Sequence, residues 1–381
     1  GGYGLSEYTQ IKRVHVCPHT DGTQKYTFPI MFDYPQPAKS FLFEGPTRIV
    51  AGPDSIIALQ FEVTRLDRSR AVVITDKGIR DAGLLDRVVK ALGSLCVGAF
   101  DGVVEDSGYT VVDKAVDYCR GVGADILVSL GGGSSMDTAK AVALTLTNGG
   151  KAIDNITLYK LCDPVMPHIA IPTTAGTGSE VSTIAVIKNE EIGRKFNIAE
   201  FVIAPNVAIL DPHMTLSLPR MLTAATGMDA LTHAIDGMCS IMRNAVCTGH
   251  GLNAIRLIAE HLPRVVENPN DVDARMQMQI AAAMAGWAFS IPSTILTHSL
   301  AHCIGAKYKI HHGTLCGLFL PHVMRFNQEQ CAEELSLVAE AMGVDVSGKT
   351  KAQAAAAAED AVEDLITEPN QMSTSTAMAE P

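Results

Sequence analysis

"ADILVSLGGGSSMDTAK", residues 124–140, runs from apolar residues through three glycines and two serines into a stretch with helical spacing. The apolar run reads as a buried strand, and the change of period after the glycines reads as strand, turn and helix. Gly131, Gly132 and Gly133 allow a sharp turn and close approach of a ligand to the backbone. Ser134 and Ser135 then fall at the helix N-terminus, where free N–H groups and the positive dipole end attract phosphate. The stretch is not G-x-G-x-x-G, and a serine-capped turn with no ligand reads equally well from these residues alone.

The same alternation extends outward from this unit. "RAVVITD" (70–76), "HIAIPTT" (168–174) and "NVAILD" (206–211) read as strands, while "LLDRVVKALG" and "MDTAKAVALTLTN" read as helices. Strands alternating with helices imply a mainly parallel, Rossmann-like sheet covered on both faces. A second turn, "IPTTAGTGSE" (171–180), offers Thr173, Thr174, Thr177 and Ser179 at a strand's carboxyl end. Two such turns in one sheet favour a dinucleotide over an isolated phosphate. Asp76 closes the strand "AVVIT", where a carboxylate can accept from ribose hydroxyls and would repel a 2′-phosphate, so NAD is expected over NADP. Its competing reading is a helix cap before "KGIRDAG".

Beyond Pro219 the pattern changes. "MLTAATGMDALTHAIDGMCS", "GLNAIRLIAEHLPRVVEN" and "ARMQMQIAAAMAGWAFS" carry apolar residues at helical spacing. The expected organisation is an N-terminal arm over 1–45, an α/β domain over 46–213 and an all-α domain over 214–381. "KTKAQAAAAAEDAVEDLI" reads as one more helix, and the residues from about 367 read as a disordered tail.

Composition narrows the function classes. The chain has 381 residues, 47% hydrophobic and 19% charged, enough apolar material for more than one core. Net charge is −11 with an isoelectric point near 5.5, and no Lys/Arg cluster occurs, so a nucleic-acid surface is not expected. Apolar runs break well before the ~20 residues of a membrane span, and the first residues lack the apolar run of a signal peptide. Nine cysteines without paired spacing argue against a disulfide framework and for a reducing cytoplasm. "HVCPH" (His15, Cys17, His19) has no further ligands nearby and reads as incidental.

Histidines, in contrast, cluster. "GMDALTHAI" places Asp229 and His233 at i and i+4, on one helix face one turn apart. "HSLAHCIGAKYKIHHG" (298–313) repeats the spacing at His298 and His302 and adds His311 and His312. A carboxylate with several imidazoles suits Fe²⁺, Zn²⁺, Mn²⁺ or Co²⁺. No thiolate is obviously involved, so an open catalytic site is the better reading than a structural zinc. Spacing alone leaves open which of the candidates coordinate. Phe289, on "GWAFSIPS" just ahead of His298, reads either as a wall of a substrate pocket or as a core side chain.

Taken together, "PTRIVAGPDS" (46–55), "GGGSSMDTAK", "PTTAGTGSE", "DPHMTLSLP", "GMDALTHAI", "HSLAHCIGAKYKIHHG" and "LPHVMRFN" (320–327), in this order, resemble the iron-containing (group III) alcohol dehydrogenase family. The resemblance spans most of the chain. It implies a dehydroquinate synthase-like architecture, NAD as cofactor and a divalent metal, Fe²⁺ first and Zn²⁺ as the alternative. It further implies Asp229, His233, His298 and His312 as metal ligands, with His302 beside the metal for proton relay or nicotinamide contact. Gly132, Gly133 and Ser134 would meet the pyrophosphate; Thr173, Thr174 and Thr177 the nucleotide; Lys195 its ribose; and Asp76 matches an acidic position associated with NAD. The implied reaction is hydride transfer between NAD(H) and a small primary alcohol or short aldehyde, in a homo-oligomer of dimer size or larger.

This sequence departs from the family pattern in places. His311 stands where proline is frequent, and "VEDSGYT" (104–110) replaces a "PNP" loop, so Asp106 replaces an asparagine. The arm is longer and the C-terminal end shorter than usual, which bears on oligomer contacts. Two other enzyme classes share the resemblance. A dehydroquinate synthase-like sugar-phosphate cyclase would need a basic cluster for its phosphate, and none accompanies the histidines. A hydroxyacid-oxoacid transhydrogenase would retain its cofactor between turnovers. A non-catalytic scaffold would not need the ligand residues.

Overall fold

A computed structural model describes residues 41–156 and 164–367. The expectations for the body of the arm, for "HVCPH" and for the tail from 368 lie outside the described residues.

The α/β half supplies eight strands among the described residues: β1 (Arg48–Ala51), β2 (Ala71–Asp76), β3 (Cys96–Val103), β4 (Ile126–Gly131), β5 (His168–Pro172), β6 (Ile184–Asn189), β7 (Arg194–Ala199) and β8 (Val207–Leu210). Its helices are α1 (Leu59–Arg65), α2 (Lys77–Asp81), α3 (Leu84–Leu92), α4 (Tyr109–Val122) and α5 (Gly133–Asn148). Six strands form one sheet in the order β1-β8-β5-β4-β2-β3, and every neighbouring pair is parallel. A parallel sheet must be covered on both faces, which is why β2, β4 and β5 are nearly continuous apolar runs. Along β2 the two-residue period divides the side chains. Val72 and Ile74 pack with Val112 and Val116 of α4 and Val142 of α5, while Ala71 and Val73 pack with Leu59 and Val63 of α1 and Val88 of α3.

β6 and β7 pair separately as an antiparallel hairpin. Neither this hairpin nor edge strands β1 and β3 stood out in the sequence. β3, "CVGAFDGV", is half-buried along nearly its whole length, so no strict alternation marks it.

After β8 the described residues form no further strand. Asp211, fully buried, accepts from the backbone N–H of Asp54, Ile56 and His213, tying the end of β8 to the turn after β1. Then come α6 (Arg220–Cys239), α7 (Ala245–Glu267), α8 (Val272–Ser290), α9 (Leu296–Tyr308), α10 (His312–Asn327), α11 (Ala332–Ala341) and α12 (Lys351–Thr367). α6 is buried at every residue from Thr223 to Cys239. A helix buried all round is the centre of a bundle, and α7, α8 and α10 surround it. Among the described residues, no helix is long and apolar enough to cross a membrane.

Candidate metal centre and nucleotide cleft

The sheet order creates the cleft. From β2 the chain moves outward to β3, whereas from β4 it moves the other way to β5. The carboxyl ends of β2 and β4 therefore flank a topological switch point, where open α/β sheets bind ligands. Asp76 ends β2 and Gly131 ends β4, and a Cβ placed on Gly131 would lie 3.6 Å from Asp76 Oδ2. Asp76 Oδ1 meanwhile accepts from Ile79 N–H at 3.0 Å. The helix-cap reading is realised by one oxygen, and the other faces the glycine turn.

The turn after β5 closes over the turn after β4. Added Cβ atoms on Gly132 and Gly133 would meet the side chains of Thr174 at 3.3 Å and Thr177 at 2.9 Å. Thr173 N–H donates to the Gly131 carbonyl at 3.0 Å. Thr174 Oγ1 is buried with no hydrogen-bond partner, an arrangement that costs stability unless something else supplies one. Above it, α5 begins at Gly133 with no side chain capping its N-terminus, and Ser135 N–H turns back to the Gly132 carbonyl at 3.1 Å. Residues and helix end together fit the phosphates of a dinucleotide.

Lys195 reaches the cleft from β7. Its Nζ lies 2.7 Å from Asp106 Oδ1, and Asp106 N–H donates to Ser134 Oγ at 3.3 Å. The acidic residue that replaces asparagine in the 104–110 loop is therefore the counter-ion of the predicted ribose contact. Sequence reading also missed Lys140, which is fully buried on α5. Its Nζ donates to Ser179 Oγ, Ser182 Oγ and the Ile184 carbonyl at 2.9, 3.1 and 2.7 Å. It binds the glycine-turn helix to the second turn and to the hairpin that carries Lys195. The signal was a lysine amid the apolar positions of a helix.

Across the cleft, α6, α9 and α10 bring the histidines together. α9 ends at Lys309, whose left-handed φ of 60° stops the helix. Two residues later His311 occupies the N-cap of α10 with φ −56°, a proline-compatible value that explains why proline can stand there. His312 opens α10. A Cβ on Gly313 would lie 2.2 Å from the Ala225 carbonyl of α6, so only glycine lets α10 approach closely enough to set His312 beside Asp229. Asp229 Oδ1 is 3.7 Å from His298 Nε2 and 3.6 Å from His312 Nε2.

Asp236, two turns beyond Asp229 on the same face of α6, was not anticipated. It accepts from Ile295 N–H, Thr297 Oγ1 and His298 Nδ1, the last at 2.8 Å. A carboxylate can only accept, so Nδ1 carries the proton and Nε2 is turned toward Asp229, as expected of a carboxylate that orients a metal-ligating histidine. Its i+7 spacing from Asp229 was the available signal.

Asp229, His298 and His312 thus meet, and the Cys316 thiol joins them: one ligand atom from each lies within 4.8 Å of all the others. His233 does not enter this grouping. Its ring stacks on His298 at 4.4 Å and on Phe289 at 4.2 Å, and it interacts with the Gly176 backbone of the second turn. Phe289 is buried against it. His302 stacks on His312 at 4.4 Å.

The electrostatics follow from burial and proximity. Burial pushes the Asp229 carboxyl up, but the imidazoles of His233, His298 and His312 outweigh it and hold it well below the usual range. Burial likewise opposes protonation of His298, yet the carboxylates of Asp229 and Asp236 raise it to about 9. Burial pushes His233 down to about 4, and burial with the charges of His298 and Lys195 takes His302 to about 3. His312 is also held well below its ordinary value by burial. Asp229 Oδ1, His298 Nε2, His233 Nδ1, His302 Nδ1 and His312 Nδ1 are all buried without a hydrogen-bond partner. Buried polar atoms are rarely left so, and a carboxylate with imidazoles at these separations fits a divalent cation.

Comparison with known proteins identifies the family. Residues 46–212 match the family model "Iron-containing alcohol dehydrogenase" and residues 223–379 match "Fe-containing alcohol dehydrogenase family, C-terminal". The NAD-dependent methanol dehydrogenase of Bacillus methanolicus is 38% identical over 81% of this chain and 82% of its own length. The lactaldehyde reductase of Escherichia coli (strain K12) is 37% identical over 82% of each. A solved 1,3-propanediol oxidoreductase superposes with a TM-score of 0.84 at 34% identity, covering 86% of both chains. An alcohol dehydrogenase from Oenococcus oeni gives 0.85 at 29% identity over 90% of both. The chain belongs to the iron-containing alcohol dehydrogenase family.

Proposed function

We propose that this member of the iron-containing alcohol dehydrogenase family interconverts a small primary alcohol and its aldehyde, with NAD(H) as the hydride carrier. The observation that carries the reading is the contiguity of two sets of unsatisfied groups. The unpartnered Thr174 Oγ1 and the uncapped end of α5 lie on the nucleotide side, and Asp229 Oδ1 and His298 Nε2 lie on the helical side. His302 stands between them, near enough to both Lys195 and His298 to be shifted by their charges.

Asp229, His298 and His312 would hold a divalent cation, Fe²⁺ or Zn²⁺, with His233 the remaining imidazole candidate. Bound there, the cation would supply Lewis-acid polarisation of the substrate oxygen, as the nicotinamide supplies the hydride chemistry. The chain's own residues do the rest. Asp236 fixes the His298 tautomer. Gly132, Gly133 and Ser134 would hold the pyrophosphate, Thr173, Thr174 and Thr177 would contact the nucleotide, Lys195 would reach the ribose, and the second Asp76 oxygen would favour NAD over NADP. His302, held neutral, offers one ring nitrogen as acceptor and the other as donor and can pass the alcohol proton outward. Phe289, stacked on His233, bounds the space for the substrate's carbon chain.

The similarity to dehydrogenases and reductases of short alcohols and aldehydes supports the substrate class. The full reading includes a cytoplasmic homo-oligomer. The test is anaerobic reconstitution with Fe²⁺ or Zn²⁺ followed by assay of short aldehydes with NADH and NADPH. Metal-dependent consumption of one NADH per alcohol formed, in preference to NADPH, is expected. Product formed without net NADH consumption would instead indicate a lyase or a transhydrogenase, and the reading would fall.

A further inference from the structure

A carboxylate stands at the mouth of the nucleotide cleft, beside the one lysine that reaches into it from β7. Asp106, in the loop between β3 and α4, donates its N–H to Ser134 Oγ at 3.3 Å at the start of α5. Its Oδ1 lies 2.7 Å from Lys195 Nζ. The Lys195 side chain is 22% exposed and that of Asp106 45%. The ammonium's charge acts on Asp137 of α5 and on His302 of α9, so it stands between the two walls of the cleft.

An exposed ion pair ordinarily does little more than tether two surface segments. Here the tether already exists. Lys188 N–H donates to the Ser107 carbonyl at 3.0 Å, and Glu190 accepts from Thr110 N–H at 3.2 Å and from Thr110 Oγ1 at 2.5 Å. The buried Ser107 hydroxyl closes the turn on Val104, donating to its carbonyl at 2.8 Å and accepting from its N–H at 3.3 Å. The loop therefore presents Asp106 to Lys195 without help from the ion pair. Asp106 has φ +53°, a left-handed conformation that Asn and Asp adopt more readily than other residues with a side chain. The backbone accepts either residue; the charge is what separates them.

We propose that Asp106 sets how tightly the dinucleotide is held, by neutralising the Lys195 ammonium beside a doubly anionic pyrophosphate. The inference rests on the nucleotide-cleft reading given under the proposed function and adds the charge that tunes it. With Asp106 ionised, the pair presents no net charge to the cofactor, and the lysine's donors are shared between ribose and carboxylate. Asparagine at this position keeps the turn and leaves the ammonium uncompensated, so the cofactor binds more tightly and leaves more slowly. Asp106 is a positioning residue, because it acts through Lys195.

Calorimetry of NADH binding to the full chain, repeated over a salt series, tests this. Asp106→Asn should bind NADH about fivefold more tightly at low ionic strength, the size of a partly screened unit charge. That gain should shrink as the Debye length falls to about 3 Å near 1 M salt. Stopped-flow measurement should show it as slower NADH release. Lys195→Gln should bind more weakly, and in that background Asp106→Asn should confer no gain. Glu105→Gln removes the adjacent exposed carboxylate and should bind NADH as the unmodified chain does. A merely structural Asp106 predicts unchanged or weaker binding in Asp106→Asn with no added salt dependence, and that result would overturn the inference. An equal gain in Glu105→Gln, or a gain that persists without Lys195, would overturn it too. Absence of NADH binding by the unmodified chain would instead overturn the nucleotide reading on which it rests.

Discussion

Gly178 joins the two halves of the molecule where their backbones touch. It has φ +62°, and an added Cβ would lie 2.5 Å from Gly286 Cα, 2.9 Å from Gly286 N and 3.0 Å from the Ala282 carbonyl, all on α8. Gly178→Ala therefore carries two costs. Placing a side chain in the left-handed region costs about 1–2 kcal/mol, and forcing it against a packed backbone costs about 1–3 kcal/mol more. The sum, about 2–5 kcal/mol, is a large share of a stability of about 5–15 kcal/mol. Gly193 separates the two contributions: its φ is +65°, but nothing lies within 4 Å of its added Cβ. Gly193→Ala should therefore show only the conformational cost. Urea unfolding of both variants beside the unmodified chain measures the difference, expected at about 1–3 kcal/mol. Because Thr177 and Ser179 flank Gly178, Gly178→Ala should also weaken dinucleotide binding in calorimetry, which Gly193→Ala should not. Equal destabilisation by the two variants would refute the close-approach argument.

His302→Ala should depress turnover while metal content, read by atomic emission, stays near that of the unmodified enzyme; metal lost in step with activity would make His302 a ligand. Asp76→Ser removes the carboxylate facing the glycine turn and should raise kcat/KM with NADPH relative to NADH, while the serine hydroxyl, as good an N-cap as a carboxylate, keeps α2 capped. Phe289→Ala opens the wall beside His233 and should move the preference along a series of straight-chain aldehydes toward longer members; an unchanged ranking would leave Phe289 a core residue. Glu180 is buried and burial pushes its carboxyl up to about 7. A raised folded value means a stability contribution that is full below its unfolded value, near 4.5, and is lost as pH rises through about 7. Glu180→Gln does not titrate, so its stability should gain on that of the unmodified chain between those limits, as melting temperatures across pH would reveal.

Local patterns carried much of this protein into view. Period-two and period-3.6 spacing divides the chain near Pro219, and the glycine turn at 131–133 announces a helix N-terminus, because each feature depends on neighbours a few residues away. The pairs Asp229/His233 and His298/His302 were visible for the same reason, since i, i+4 spacing places two side chains on one face, whereas His312 was marked only by its place in the histidine-rich stretch. Pairing across long separations was not visible. Asp76 meets the glycine turn only because β2 lies beside β4, and Asp106 meets Lys195 only because the β6–β7 hairpin folds back over the cleft. α9 turns into α10 against the α6 backbone at Gly313, and this close packing sets Cys316 into the cluster and leaves His233 stacked at its side. Helical spacing selects the face from which a side chain leaves; the distance between ligand atoms depends on how three helices pack, which is a property of the closed core alone.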